Sequence, residues 1–169
     1  VEQDYFSDHV RFYEQPNFDI IVMQNSFAHQ ANPQRFMEDL RDVMHDQSLL
    51  YIQTSQADMV RNNEFDTIYH EHVNFYCVNS MLTLVERAGM EIVDIKKQSI
   101  HGTSYVFVIS KDLSQRNDRV IEQYLKEEKE INTMPLYEDW ARSVVQIRED
   151  YLDLLQLRRG TRIVGYGAA

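Results

Sequence analysis

Cysteine is almost missing: Cys77 is the single one in 169 residues. That excludes an internal disulfide and any multi-cysteine zinc site, and it fits a reducing, cytoplasmic setting. A cysteine nucleophile stays chemically open at that one position. Basic residues are scarce too, 17 Lys plus Arg against 27 Asp plus Glu for a formal net charge of -10. A phosphate backbone is bound by clustered Lys and Arg that release its counterions, so the balance argues against a nucleic-acid partner. No run approaches the roughly 18 apolar residues of a membrane span, and Val1-Glu2-Gln3-Asp4 is neither basic nor apolar as a signal peptide would be. The expectation is a soluble protein with no membrane partner. Glycine and proline are few, 5 and 3, for an α/β domain of the kind whose nucleotide-binding versions open on a glycine-rich turn. Against these absences stands a 43% hydrophobic composition, enough for one core, and a length that suits one domain plus an appendage.

The apolar runs order the chain. Asp19-Ile20-Ile21-Val22-Met23 reads as a strand buried on both faces. Asn32-Pro33 breaks it, and Phe36, Met37, Leu40 and Val43 recur at helical spacing between Gln34 and Met44. Leu49-Leu50-Tyr51-Ile52 is the next strand, so the first unit is strand, helix, strand with a parallel, right-handed crossover. Residues 53–74 form a connection too long to be idle. A helix over Val78–Ala88 stops at Gly89 in the C′ position, and strands at Glu91–Ile95 and Ser104–Ile109, joined through His101-Gly102, read as antiparallel. Charged helices follow over 116–131 and 136–157, parted at Met134-Pro135. The second carries Trp140, Val144, Ile147, Tyr151 and Leu154 as one apolar stripe that has to pack on something. Arg162-Ile163-Val164 then reads as a strand running into the Gly165-Tyr166-Gly167 turn. Met81 and Phe107 read as core, and Lys126-Glu127-Glu128-Lys129-Glu130 as a solvated helix face.

Ligands of open parallel sheets bind beyond the carboxyl ends of the strands, and two polar clusters lie at such ends. In Gln24-Asn25-Ser26-Phe27-Ala28-His29, Asn25 and His29 share a face if the segment turns helically; the bland alternative is a capped turn with a solvated histidine. In Glu64-Phe65-Asp66-Thr67-Ile68-Tyr69-His70-Glu71-His72, titratable groups crowd a segment flanked by Phe65, Ile68, Val73 and Phe75. Partial desolvation there would move a histidine towards the working range of a general base, with a carboxylate close by to orient it. A metal reading uses His70 and His72 on one face of an extended segment, completed by His101 or His29. It lacks a Cys partner, a helical His-Glu-x-x-His and an acidic ligand set, so no metal is expected.

The Tyr69-His70-Glu71-His72 element, the stretch Leu84-Val85-Glu86-Arg87-Ala88-Gly89-Met90-Glu91-Ile92-Val93-Asp94 and the His101-Gly102-Thr103-Ser104 turn, in this order and spacing, resemble the class I S-adenosylmethionine-dependent C-methyltransferases of nucleotide-linked keto-sugars. Asp4-Tyr5-Phe6-Ser7, Asn25-x-x-x-His29 and Gly165-Tyr166-Gly167-Ala168-Ala169 carry the similarity over nearly the whole chain. The resemblance implies an α/β fold: a partial Rossmann-like sheet of parallel strands with an antiparallel terminal strand, then a helical segment. It divides the chain into residues 1–111 from the cofactor domain, a helical linker over 112–160, and the first strand and turn of a second Rossmann-like domain over 161–169. Family members carry a zinc lobe before the central domain, and by this comparison the cofactor's glycine-rich turn and ribose-binding acid fall outside the chain. By itself, then, the chain is expected to be inactive and to bind S-adenosylmethionine poorly.

The implied chemistry is removal of a proton next to a sugar ketone, and attack of the enolate on the sulfonium methyl. His72 is then the base, Tyr69 and Glu71 orient it or steady the enolate oxygen, His29 and Asn25 border the meeting place of methyl donor and carbon, and His101 touches substrate. The partner is a nucleotide-diphosphate sugar or another small molecule, and the sheet edge left by absent strands favours pairing between copies. Three readings compete: an O- or N-methyltransferase of a small metabolite, a non-catalytic methyltransferase-like module that holds a nucleotide-sugar, and a metal-dependent enzyme.

Overall fold

The computed structural model describes residues 18–54, 58–100 and 102–166. The Asp4-Tyr5-Phe6-Ser7 stretch, His101 and Gly167-Ala168-Ala169 lie outside the described residues. In chain order the elements are β1 (Phe18–Gln24), α1 (Pro33–Asp42), β2 (Met44–Thr54), α2 (Val78–Arg87), β3 (Glu91–Gln98), β4 (Ser104–Ser110), α3 (Asp118–Ile131) and α4 (Met134–Leu157). They build one mixed sheet in the order β1-β2-β4-β3. β1 and β2 are parallel, and β4 runs antiparallel to both β2 and β3. The α/β class, the parallel first unit and the antiparallel terminal pair are those expected from the sequence. Among the described residues no helix is long and apolar enough to cross a membrane.

Local chemistry sets the helix ends. Asn32 accepts the Arg35 N–H through its side chain and Pro33 opens α1, the arrangement that satisfies a first-turn donor and spends proline where its missing N–H costs nothing. Gly89 follows α2 at φ +75°, the left-handed stop that glycine adopts without penalty. Pro135 sits in the first turn of α4. The break between the last two helices is therefore Asn132-Thr133, two residues earlier than expected, because proline starts a helix more readily than it ends one.

The core lies on one face of the sheet. Leu50 and Ile52 of β2, Tyr105, Phe107 and Ile109 of β4, and Ile92 and Ile95 of β3 meet Met37, Leu40, Val78, Met81, Val85 and Ile121 from the helices. Arg41 donates to the Ala88 carbonyl at 3.1 Å and ties α1 to the end of α2. Glu128 of α3 accepts the Asn79 N–H at 3.0 Å, so a carboxylate from one helix caps the positive end of another.

Four expectations are corrected. β1 is not buried on both faces: Ile20 and Val22 are 62% and 59% exposed. β1 is an edge strand, and among the described residues the helices pack on one side of the sheet only. Glu128 is buried, not part of a solvated face, because its cap on α2 repays its desolvation. The apolar stripe of α4 does not find a cover: Ile147, Tyr151 and Leu154 are exposed and no residue of α4 is fully buried. Residues 162–166 form no strand, since a strand exists through its ladder and no described segment runs alongside.

Candidate active site

The carboxyl ends of β1 and β2 open on the same rim, and β4, running the other way, brings its first residues there as well. After β1 the chain turns at Asn25, which adopts the left-handed conformation with φ +50°, and its N–H bonds the Gln53 carbonyl at 3.2 Å. A single 3-10 turn over Phe27–His29 follows. Phe27 is fully buried against Tyr76, with ring centroids 5.0 Å apart. This apolar anchor fixes where His29 emerges.

The second polar segment is fastened to the first. The Val73 and Asn74 N–H groups both donate to the Ala28 carbonyl, at 3.1 and 3.2 Å, and the Asn74 side chain donates to the Gln30 carbonyl at 2.6 Å. This seam brings His72 to His29: their rings meet edge to face with centroids 5.0 Å apart. His29 Nδ1 lies 3.9 Å from the Glu71 carboxylate, and His70 Nε2 lies 3.9 Å from its other oxygen. His70 points away into solvent at 87% side-chain exposure.

His72 is held at both ring nitrogens. Its Nδ1 is 2.8 Å from the Thr67 carbonyl. A carbonyl only accepts, so Nδ1 carries the proton and Nε2 holds the lone pair that accepts. The Tyr69 hydroxyl lies 3.0 Å from Nε2 and donates to it, and the two rings lie 4.2 Å apart at 39°. A base needs this tautomer, set by a partner on the opposite nitrogen.

Of the six residues singled out from the sequence, the structure gathers Tyr69, Glu71, His72 and His29. Asn25 stands at the rim but outside the helical turn, so the expected shared face with His29 does not form; its left-handed backbone ends the strand instead. Its Oδ1 is buried without a hydrogen-bond partner. His101 lies outside the described residues. The expected partial burial is met at Glu64 and His72, while Tyr69, His70 and Glu71 are exposed along with Phe65, Ile68, Val73 and Phe75. Among the described residues no three His, Cys, Asp or Glu side chains are grouped to hold a metal ion.

Three residues take on roles that the sequence did not assign to them. Thr67 acts through its backbone carbonyl, which no side-chain pattern announces. Phe75, with its ring 6.3 Å from His72, also lines a cavity of about 180 Å³ together with Asp58, Tyr76, Cys77, Tyr105 and Tyr137. Burial pushes the Tyr76 phenol up, and burial together with the Glu128 carboxylate pushes the Cys77 thiol up, so both walls stay protonated and uncharged. Glu64 packs its carboxylate on Gly102, where φ is +79° and a Cβ would lie 2.6 Å from both oxygens.

Asn62 binds the same carboxylate at 2.9 Å and Thr103 at 3.3 Å. The loop carrying Tyr69 and His72 is thus latched to the β3–β4 turn. Gly102→Ala is expected to cost about 1–2 kcal/mol from the left-handed backbone alone and to displace the Glu64 carboxylate. Thermal denaturation beside a spectrum of the His72 ring reads both; an unchanged midpoint would mean that the turn accepts a side chain.

Residues 2–95 match the family described as "Methyltransferase domain", and residues 99–169 match "C-methyltransferase C-terminal domain". The boundary falls between β3 and β4, which share one sheet. Over 155 residues the chain is 24% identical to the C-methyltransferase NovU of Streptomyces niveus, an alignment that covers 88% of the chain and 37% of the relative. The chain thus spans well under half the length of that protein. On these matches, and with an α/β sheet of mixed direction beneath them, the chain belongs to the methyltransferase domain family and continues into a C-methyltransferase C-terminal domain.

Proposed function

We propose that the protein of which this chain is part transfers a methyl group from S-adenosylmethionine to the carbon next to a ketone of a nucleotide-linked sugar. The observation that carries the proposal is the state of His72: its Nδ1 donates to the Thr67 carbonyl, which leaves Nε2 unprotonated as the basic nitrogen, in contact with the Tyr69 hydroxyl at the strand-end rim. A hydrogen on the carbon beside a carbonyl is acidic enough for an imidazole within hydrogen-bond reach to remove. The imidazolium so formed lies beside His29, whose Nδ1 is 3.9 Å from the Glu71 carboxylate, so a negative charge stands close by, and His29 offers a donor for the enolate oxygen. When bound, S-adenosylmethionine supplies an electrophilic methyl on a sulfonium. The buried, unpartnered Asn25 Oδ1 at the end of β1 fits a donor of such a ligand, since a buried acceptor left alone is costly.

The exposed Phe65, Ile68, Val73 and Phe75 around the polar groups form an apolar border suited to the faces of a sugar ring. The NovU likeness supports transfer to carbon over transfer to oxygen or nitrogen. The deciding experiment incubates the intact enzyme with S-adenosylmethionine carrying a 13C methyl and a panel of nucleotide-linked keto-sugars, then reads the product by NMR. A new methyl bonded to ring carbon is expected. A methyl on oxygen or nitrogen would replace this reading with heteroatom transfer, and no product would favour a module that only binds.

A further inference from the structure

The base in this site is covered. An imidazole nitrogen has a single lone pair in the ring plane, and at His72 Nε2 that lone pair already accepts the Tyr69 hydroxyl proton at 3.0 Å. The opposite nitrogen is committed to the Thr67 carbonyl at 2.8 Å. A substrate hydrogen therefore has no open acceptor on His72 while this pair is made. Tyr69 is exposed where His72 is half-buried, and a phenol oxygen that donates its proton still has lone pairs with which to accept another.

From this geometry we infer that Tyr69 is a proton relay: its oxygen takes the hydrogen from the substrate carbon while its own proton passes to His72 Nε2. The inference rests on the function proposed above and gives the path of its proton. The balance closes within the site. The C–H bond breaks, its proton forms the new O–H of Tyr69, the old O–H breaks in favour of N–H on His72, and the electron pair of the C–H bond stays on the substrate as the enolate. The phenol ends neutral and the imidazole ends as a cation, so the product state is that of direct abstraction by His72, and the high pKa of a free phenol adds no net uphill step. Two short hydrogen bonds in line polarise one another, and the 4.2 Å ring contact holds the pair in register.

The test reads proton removal apart from methyl transfer, as wash-in of deuterium at the carbon beside the ketone of the nucleotide-linked keto-sugar that the intact enzyme methylates, in D2O and with no methyl donor. Tyr69→Phe is expected to slow wash-in by roughly 100-fold, within the usual worth of a positioned acid or base. The double variant Tyr69→Phe with His72→Asn is expected to be no slower than His72→Asn alone, since groups acting as a unit do not add. In Tyr69→Phe the His72 15N signals keep the Nδ1–H tautomer, which separates loss of the relay from collapse of the site. Incorporation of 3-fluorotyrosine at position 69 preserves the shape and lowers the phenol pKa; a wash-in rate that follows that change supports the relay, and an unchanged one overturns it. Wash-in within threefold of normal in Tyr69→Phe, with His72→Asn inactive, overturns the relay and leaves His72 as a direct base. Full wash-in by His72→Asn, or none by the unaltered enzyme, sinks the underlying reading of the site.

Discussion

His72→Asn in the intact enzyme is expected to lower methyl transfer by roughly a thousandfold, inside the range for removal of a general base, while affinity for S-adenosylmethionine changes by less than about threefold. Asparagine keeps a donor near the Thr67 carbonyl, so the turn that closes on the His72 N–H to Tyr69 carbonyl bond at 3.0 Å stays formed. What it removes is the lone pair at Nε2. Rate and affinity separate because the residue is asked to act in the transition state and not in holding the cofactor. Parallel loss of both, seen by calorimetry beside a turnover assay, would assign His72 a structural task instead.

Phe107→Ala carries the largest expected cost in stability, about 3–5 kcal/mol. Its ring is fully buried. In register it stands between Ile52 of β2 and Ile95 of β3, and it meets Tyr105 at 5.5 Å. Truncation leaves a void in the middle of the sheet that rigid strands on either side cannot close. Phe107 lies within the C-methyltransferase C-terminal match, yet it packs on strands of the methyltransferase-domain match. A domain of ordinary stability holds about 5–15 kcal/mol in all, so the variant should unfold far earlier in urea. A cost under about 1 kcal/mol would place the ring outside the core.

Much of the arrangement is legible in the residues because several local signals agree. The apolar run of β2, the Asn32-Pro33 start and the Gly89 stop each fix one boundary, and the strand-end rule sends residues 24–29 and 64–72 to one rim. Other features depend on partners distant in the chain. Nothing around Glu128 announces that its carboxylate reaches Asn79, 49 positions away, so a charged run reads as solvated. The exposed side of β1 is invisible for the converse reason: its apolar run matches that of a doubly covered strand, and only the packing reveals one bare side. Within the site, Tyr69, Glu71 and His72 declare themselves by type and spacing. The carbonyl that selects the histidine tautomer is backbone, common to every residue, and appears only once the turn is folded.

The reversed direction of β4 has a bearing on how such a protein can diversify. Because β3 climbs to the rim and β4 descends from it, the short turn between them overhangs the loop that bears His72, while the ladders from Tyr105 to Ile109 anchor both strands below. Exchanges at Ser99, Ile100 or Thr103 touch none of the core side chains, whereas Gly102 is fixed by its left-handed backbone and the Glu64 carboxylate beside it. A lineage of enzymes built on this plan has, in that turn, a place to acquire new substrate preferences that lies apart from its buried core.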